Sequence, residues 1–331
     1  MARKSSDMFN ADVKERFIST LSREPAYGRK VRSFFRSVSG IESSLGRDLS
    51  SFSMEEEISA VKAASRTKLR SESRFELAEV FGKYYAWCLE NGVPGAVEHK
   101  PLPAEVYQDV NDDLMIFSPG HLQSLLDRMF DPESEETVDN VYRCFYWMAY
   151  SGLDIHSIVR LKSEHINLHA FMASINGIDV QIYQQAVPCL RNCMELHQFL
   201  YKHPGYSKPI MRDRVPGDYI LRGVRGAYDD PDKAFQNLKT TLSRYRAKNP
   251  DIRISYASCF YNGLFYRMRE LELENPGKLD YVAFVSDLPA GMRIISGEKE
   301  GYKSSDRKRL YAIAHRLRND YLGWKNELNH R

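Results

Sequence analysis

The stretch Ser151–Asn167 reads SGLDIHSIVRLKSEHIN, and it is the segment that decides the fold. A strongly apolar helix is predicted directly before it, over Val138–Tyr150, and the Ser-Gly pair that opens the segment ends that helix. A β-hairpin or meander is predicted directly after it, over residues 168–186, because β-branched and aromatic residues flank the turn pair Asn176-Gly177. The segment therefore joins a buried helix to a small sheet.

Helices dominate the rest of this part of the chain. One is predicted to start at Ser118-Pro119, since serine caps a helix and proline suits its first position. Its apolar face continues through Leu122, Leu125, Leu126 and Met129. Further helices are predicted over residues 188–202, 231–247, 256–273 and 304–328. The expected fold class is mainly α with a small β-sheet, an α+β arrangement.

The first third of the chain is predicted to be helical throughout. Apolar faces repeat at helical spacing, first at Val13, Phe17, Ile18 and Leu21 and then at Val31, Phe34, Phe35 and Val38. Ser53 and Glu56 form a capping box that opens one helix. Ser73 and Glu76 open a longer helix, and Gly92 is predicted to end it.

Turn-forming residues from Val93 to about Asp113 separate the two parts of the chain. A stretch with this composition is typical of a linker. The predicted organisation is a helical domain over residues 1–95, a linker over 96–113 and a second domain over 114–331.

Composition and charge limit the possible classes of protein. The chain has 331 residues, of which 43% are hydrophobic, and this excludes an intrinsically disordered protein. The formal charge is only +3, but residues 1–75 carry 15 Lys/Arg and 10 Asp/Glu, and residues 301–331 carry 8 and 3. Residues 76–300 are acidic on balance. Basic ends around an acidic centre fit a protein whose ends bind a polyanion, although solvated helices often show such fluctuations.

Cysteine usage and hydropathy predict a cytoplasmic protein. The five cysteines are odd in number and make no disulfide framework, which favours a reducing compartment. No apolar segment follows the charged start, and the longest wholly apolar run, Cys144–Tyr150, is far shorter than a membrane span. The protein is expected in the cytoplasm without membrane contact, and at the nucleoid when it binds DNA.

The segment Ser151–Asn167 resembles a signature of the tyrosine recombinase (phage integrase) family. In that family a Thr-Gly-Leu-Arg turn ends an apolar helix, and a short helix follows before the first strand. The positions in step with this pattern are Gly152, Leu153, Ile155, Leu161 and Ile166. The stretch Tyr84–Gly92 also looks like the end of the family's SAM-like core-binding domain. The resemblance implies a SAM-like DNA-binding domain followed by a tyrosine-recombinase-like domain of the catalytic type.

The residues that carry the family's chemistry are absent from the matching positions. Such enzymes hold the scissile phosphate with two arginines, use a lysine on the hairpin, and attack phosphorus with a tyrosine hydroxyl. The first arginine position is Asp154 here, and its carboxylate would repel a phosphodiester. No lysine lies between Lys162 and Lys202, so the hairpin lysine is missing as well.

The family's second motif, His-x-x-Arg at a helix start, falls near Ile254–Arg267. Two registers fit the hydrophobic pattern, and they place either Ala257 and Phe260 or Ser258 and Tyr261 at the paired positions. Neither register supplies an arginine. The resemblance therefore implies that the fold persists and that strand transfer does not.

Other arginines and tyrosines offer weak replacements. Arg160 lies six residues after Asp154, about 240° around a helix axis, so it is expected to point elsewhere. Arg267 and Arg269 are expected to face solvent. The weak candidates for a nucleophile are Tyr302, Tyr311 and Tyr321.

Basic clusters near both ends are the predicted contacts with double-stranded DNA, against the alternative that they are only solvated helix faces. The predicted DNA-binding residues are Arg29, Lys30, Arg32, Arg36, Lys62, Arg66, Lys68, Arg70, Lys303, Arg307, Lys308, Arg309, Arg316 and Arg318. The C-terminal helix is also a candidate contact with a second copy of the chain or with a recombinase.

No cofactor and no metal are expected. Cys189, Cys193 and His197 share one helical face, but they span roughly 12 Å, which is too far for ligands of one zinc ion. Structural thiols are the better interpretation.

Three hypotheses of function remain open from the sequence. The leading one is a DNA-binding, integrase-like protein without catalytic activity, which acts as an accessory or regulatory factor of a phage or mobile element. The second is a divergent but active tyrosine recombinase that cleaves and rejoins DNA for recombination and integration. The third is a protein-interaction module on the same scaffold.

Overall fold

The computed structural model describes residues 8–21, 25–64, 72–103, 106, 114–130, 136–175, 178–201, 208–224, 231–286 and 307–330. The chain divides into unit 1, Met1–Asn111, and unit 2, Asp112–Arg331. Helices make up most of the described residues and two small antiparallel sheets the remainder, which confirms the predicted mainly α fold class.

Unit 1 is helical. Its helices are α1 (Ala11–Thr20), α2 (Pro25–Leu45), α3 (Met54–Ala64) and α4 (Glu72–Glu90), with a 3₁₀ turn at Leu49–Ser51. Aromatic rings form the centre of its core: Phe35 lies 4.9 Å from Tyr84 and 6.4 Å from Phe81, measured between ring centroids. All three side chains are buried. Phe35 belongs to one of the apolar faces that the sequence predicts, so helical periodicity places this side of the core of unit 1.

Local signals at the helix ends of unit 1 behave as predicted. The Ser53 amide donates to the Glu56 carboxylate at 2.8 Å, and the Glu56 amide donates to the Ser53 hydroxyl at 3.3 Å, which confirms the capping box. Gly92 has φ +63°, and the Val93 amide donates to the Cys88 carbonyl at 2.9 Å, which closes α4. The predicted cap Ser73 lies within α4, and its side chain is outside the described residues.

A charged pair lies inside the core of unit 1. Lys14 Nζ is 2.5 Å from both carboxylate oxygens of Glu42, and neither side chain is exposed. The Leu49 amide also donates to Glu42, at 2.8 Å. Burial raises the pKa of the Glu42 carboxyl, and the Lys14 ammonium opposes that shift. The pair joins α1 to α2 within an otherwise apolar interior.

Unit 2 alternates helices with short strands. Its helices are α5 (Pro119–Met129), α6 (Asp139–Tyr150), α7 (Ile155–Val159), α8 (Val187–Glu195), α9 (Pro231–Lys248), α10 (Tyr256–Glu274), α11 (Tyr281–Ser286) and α12 (Arg307–Asn329). The strands are β1 (Ile166–Asn167), β2 (Met172–Ile175), β3 (Ile178–Gln181), β4 (Gln198–Tyr201) and β5 (Ile210–Asp213). β1, β2 and β3 form one antiparallel sheet in that order, which confirms the predicted hairpin; its turn pair lies outside the described residues.

The apolar helix α6 is the centre of unit 2. From Cys144 to Tyr150 every residue is buried, and α6 packs along α10. The approach is so close at Gly263 that a β-carbon there would lie 1.8 Å from the Tyr150 carbonyl oxygen. Only glycine leaves room for this contact.

The helix predicted over residues 188–202 is wrong in its second half. α8 ends at Glu195, and β4 follows, paired with β5 so that Phe199 lies opposite Arg212. The Leu200 amide also donates to the Glu136 carbonyl at 2.8 Å, so this strand makes backbone bonds on both sides. These long-range bonds outweigh the local helical pattern.

A buried arginine secures the end of α8. The Arg214 guanidinium donates to the carbonyls of Cys193 at 2.5 Å and Leu196 at 3.1 Å, which are acceptors that a helix end leaves open. It also donates to the Ile220 carbonyl at 2.7 Å. This contact fixes the point where helix gives way to strand.

The C-terminal helix α12 packs on α10 and α11 of its own chain. Leu317, Tyr321 and Trp324 are buried on its inner face, and the Trp324 ring lies 5.7 Å from Phe117. Among the described residues, no helix is long and apolar enough to cross a membrane.

Candidate nucleic-acid interface

Asp154 is a helix cap. It precedes α7, its Oδ1 accepts from the Ser157 amide at 2.8 Å, and its Oδ2 accepts from the Ser157 hydroxyl at 2.9 Å. Both carboxylate oxygens are therefore engaged, and the negative charge lies where an α-helix start favours it. The residue that the sequence resemblance aligns with the family's first arginine is therefore a structural anion.

Arg160 lies beyond the end of α7. The helical offset that the sequence suggested for it is wrong, because α7 ends at Val159 and Arg160 is its C-terminal cap. Its guanidinium Nη1 is 2.9 Å from His156 Nδ1. Arg160 thus pairs with the ring of His156, one turn back along the chain.

Two serines cap the start of α10, the region where the resemblance predicts the family's His-x-x-Arg motif. The Ser255 amide donates to the Ser258 hydroxyl at 2.8 Å, and the Ser258 amide donates to the Ser255 hydroxyl at 3.0 Å. Phe260 and Tyr261, the residues at the arginine position in the two predicted registers, are both buried. The helix start is closed by its own side chains rather than by a cation.

The two arginines of α10 are less exposed than the sequence predicts. Arg267 and Arg269 are both partly buried. They lie next to Glu270, where burial raises the pKa of the carboxyl and Arg267 opposes the shift. Part of their positive charge is therefore offset by Glu270 on the same helix.

The three candidate tyrosines differ in accessibility. Tyr302 lies outside the described residues. Tyr311 is 55% exposed on α12. Tyr321 is fully buried and donates its hydroxyl to Glu272 Oε2 at 2.6 Å, and burial raises the pKa of that phenol. Of the two candidate tyrosines that the structure describes, only Tyr311 exposes its ring and hydroxyl to solvent.

Two of the four cations predicted on α2 are already paired. The Arg32 guanidinium donates to both carboxylate oxygens of Glu15, at 2.8 and 3.1 Å from Nε, and Lys30 Nζ is 2.5 Å from Glu76. Surface pairs of this kind stabilise weakly and reduce the local positive potential.

The outer face of α2 keeps the other two cations. Arg29 and Arg36 are exposed and lie seven residues apart, two turns along one side of the helix. The small residues Ser33, Ser37 and Gly40 are exposed on the same side. Residues 25–41 contain no aspartate or glutamate, so this face of α2 has no carboxylate of its own. We call it the α2 face.

The other predicted cations divide between placed and unplaced side chains. Lys62 and Arg316 are exposed, and the Arg318 guanidinium lies 5.7 Å above the Tyr281 ring. Arg66, Lys68, Arg70 and Lys303 lie outside the described residues, and the side chains of Arg307, Lys308 and Arg309 at the start of α12 do too.

A basic surface that the sequence analysis missed lies on α9. Three exposed cations, Lys233, Arg244 and Lys248, share one side of this helix, and Leu238 and Leu242 are buried on the other. Exposed polar groups lie among the cations, namely Gln236, Asn237, Thr240 and Ser243. The eighteen residues of α9 contain five Lys/Arg and one acid, Asp232. The excess of Lys/Arg over Asp/Glu in α9 is visible in the sequence, but the net negative charge of residues 76–300 as a whole concealed it. We call this surface the α9 face.

The cysteines of α8 lie apart from His197. Cys189 and Cys193 are buried, and both are close enough to Cys144 of α6 that mutual hydrogen bonds raise the pKa of its thiol. His197 is exposed beyond the end of α8. Among the described residues, no group of three or more His, Cys, Asp or Glu is arranged to hold a metal ion.

Comparisons with known proteins agree with the sequence interpretation of the N-terminal helical domain. Residues 8–90 match the family model of the MrpR N-terminal core-binding domain, which confirms the family resemblance over unit 1. No curated protein matches the sequence.

Several solved structures are similar to the chain at low identity. The XerA recombinase shares 11% identity and a TM-score of 0.37, over 95% of this chain and 98% of that one. The integrase from mycobacterium phage Brujita shares 12% identity and a TM-score of 0.31, over 93% and 91%. The Tn1549 transposon integrase in complex with transposon right end DNA shares 9% identity and a TM-score of 0.35, over 93% and 100%.

Proposed function

We propose that this chain, which begins with a core-binding domain of the MrpR type, is a DNA-binding relative of the tyrosine recombinases that no longer transfers strands. It acts as an accessory or regulatory factor of a phage or mobile element. The observation that carries the proposal is Asp154, a helix cap at the position where the family's chemistry needs its first arginine.

The loss of catalysis follows from charge. A phosphoryl-transfer site must hold cations where negative charge develops, and each missing donor lowers the rate about 10²–10³-fold. Asp154 replaces a cation with an anion, and either Phe260 or Tyr261 takes the second arginine position in the two predicted registers. A third deficit is the hairpin lysine, because β2 and β3 contain none.

Retention of DNA binding follows from the α2 face in unit 1 and the α9 face in unit 2. Each combines exposed cations with hydroxyl, amide or small side chains. Cations neutralise phosphates, and polar side chains of this kind donate to phosphate and sugar oxygens. Binding of this type depends on electrostatics rather than on a reactive centre.

A salt titration of duplex affinity tests the binding. The affinity of the full chain for a labelled duplex should fall steeply between 50 and 200 mM salt, with a log–log slope of about −0.9 per phosphate contact. The double variant Arg29→Gln/Arg36→Gln should flatten this slope, whereas the control Lys83→Gln, an exposed lysine paired with Glu79, should not. Failure to bind any duplex at low salt, including the ends of the host element, would refute the proposal and favour a protein-interaction module.

A nicked suicide duplex tests the absence of strand transfer. No covalent protein–DNA adduct should accumulate on the cognate site. An adduct that disappears in Tyr311→Phe would overturn this part and identify a divergent active recombinase, because Tyr311 is the exposed candidate among the described tyrosines.

A further inference from the structure

The three-stranded sheet of unit 2 ends in a strand with an open edge. β3 pairs with β2 on one side, and no other described strand pairs with it. The Ile182 amide, directly after β3, donates to the Phe171 carbonyl at 2.7 Å, which shows which backbone groups point toward β2. Because bonded and non-bonded residues alternate in an antiparallel pair, the N–H and C=O groups of Asp179 and Gln181 point away from β2.

This edge is accessible. Asp179 and Gln181 are both exposed. Within the described ranges, no residue beyond β2 makes a backbone hydrogen bond to either of them. The edge therefore offers two backbone donors and two backbone acceptors, the groups by which a further strand adds to a sheet.

The side chains along this edge are an acceptor and a donor. The Ser174 hydroxyl donates to Asp179 Oδ1 at 2.5 Å, so Oδ2 of the same carboxylate is left to accept another bond. The Gln181 amide makes no hydrogen bond to the described part of the chain. Since the two residues are two positions apart on one strand, both side chains lie on the same face of the sheet.

We propose that β3 pairs with β3 of a second copy of the chain, antiparallel about a two-fold axis at Val180. In this register Asp179 of each copy lies opposite Gln181 of the other, so four backbone bonds form and each amide can donate to a carboxylate. The two sheets join into one of six strands. An axis at Asp179 would instead place two carboxylates opposite each other, which is unfavourable.

The open edge of β5 does not complement itself in this way. Leu200 on β4 bonds to residues 136 and 138 on its far side, so Met211 and Asp213, paired with β4 at non-bonded positions, point their backbone groups outward. Self-pairing through these two residues would set Arg212 opposite Arg212 of the second copy, where the charges repel. A register shifted to avoid this contact would need a backbone N–H from Pro209, which has none.

The dimer does not depend on DNA binding, but it has a consequence for the DNA site that rests on the proposed function. A two-fold dimer presents the same surface twice, in orientations related by its axis. Under the proposed function, the DNA site should therefore consist of two inverted half-sites.

Sedimentation equilibrium on the full chain without DNA tests the pairing. Gln181→Lys should strengthen the dimer, because the lysine faces Asp179 of the second copy, and Gln181→Glu should weaken it. Each change acts twice in a symmetric dimer, so the dissociation constant should shift about 2- to 30-fold, in opposite directions. The double variant Asp179→Lys/Gln181→Glu restores opposite charges and should dimerise better than Gln181→Glu alone.

Gln236→Lys and Gln236→Glu are the matched controls, at an exposed glutamine of α9, and should leave the dissociation constant unchanged. Thermal unfolding of the Gln181 variants should match the wild type, since the residue is exposed.

Two results would overturn the pairing: a chain that stays monomeric both as wild type and as Gln181→Lys, or a dimer that the two Gln181 variants do not shift in opposite directions. If the sedimentation result holds and the chain binds no duplex, the dimer stands and the proposed function fails.

Discussion

Gly263 and Tyr150 bring two helices into backbone contact: a β-carbon on Gly263 would lie 1.8 Å from the Tyr150 carbonyl oxygen. Gly263→Ala should therefore force α6 and α10 apart and lower the free energy of unfolding by about 2–3 kcal/mol. Gly40→Ala is the matched control, since a β-carbon there meets nothing within 4 Å, and it should stabilise α2 slightly. Denaturant unfolding of both variants measures the contrast. Equal effects would contradict the close packing.

The buried pair Lys14–Glu42 predicts strong coupling between two substitutions. Lys14→Met alone or Glu42→Gln alone should destabilise unit 1 by about 3–5 kcal/mol, because each leaves a buried polar or charged group without its partner. The double variant should be less destabilised than the sum of the two. A double-mutant cycle by urea unfolding measures this coupling, and additive losses would argue against a direct pair.

Asp154 should contribute to stability rather than to chemistry. Asp154→Ala should lower the free energy of unfolding by about 1 kcal/mol through loss of the α7 cap, whereas Asp154→Ser should retain most of it. Asp154→Arg should remove the cap and still yield no covalent adduct on a nicked duplex. An adduct formed by Asp154→Arg would show that a single cation at this position is enough to restore strand cleavage.

The α9 face should add to the salt dependence of DNA binding. Arg244→Gln/Lys248→Gln should reduce the slope of log affinity against log salt by up to about 1.8, since each phosphate contact contributes about 0.9. Lys278→Gln, a change at an exposed lysine after α10, serves as the control. An unchanged slope in the double variant would remove this helix from the interface.

The anchor of α12 should weaken in acid. Hydrogen bonds from Lys325 and Tyr321 lower the pKa of the Glu272 carboxyl, so its contribution is present above the ordinary glutamate pKa and is lost as the pH falls through the lowered value. At pH 7 Glu272→Gln should destabilise unit 2 by about 1 kcal/mol. That difference from the wild type should shrink at pH 3, as measured by denaturant unfolding. Glu274→Gln, at an exposed neighbour, should show no such difference at either pH.

Local signals in the sequence predicted much of the fold. The Ser53–Glu56 capping box, the Ser118 cap, the Gly92 stop and the apolar helix before Ser151 all depend on contacts within a few residues. Such contacts can be inferred from spacing alone. The hairpin of β2 and β3 was predictable for the same reason.

Features that depend on distant partners were not predictable. β4 forms because the Leu200 amide bonds to the Glu136 carbonyl and because Arg214 caps the preceding helix. Neither contact can be inferred from residues 188–202 alone. The buried pair of Lys14 and Glu42 left no signal in the sequence, since the two residues lie twenty-eight positions apart. The Asp154 cap is a different case: its partner Ser157 lies only three residues on, so this local contact could have been inferred from spacing.

Under the proposed function, the cap at Asp154 makes the loss of strand transfer hard to reverse. A back-mutation to arginine at that position would remove two hydrogen bonds from α7 at once and would bring no activity while the second arginine and the hairpin lysine are still missing. At this first step, selection would therefore act only on the lost folding stability. Under the proposed function, a lineage with a structural anion at this position can regain strand transfer only through a less stable protein.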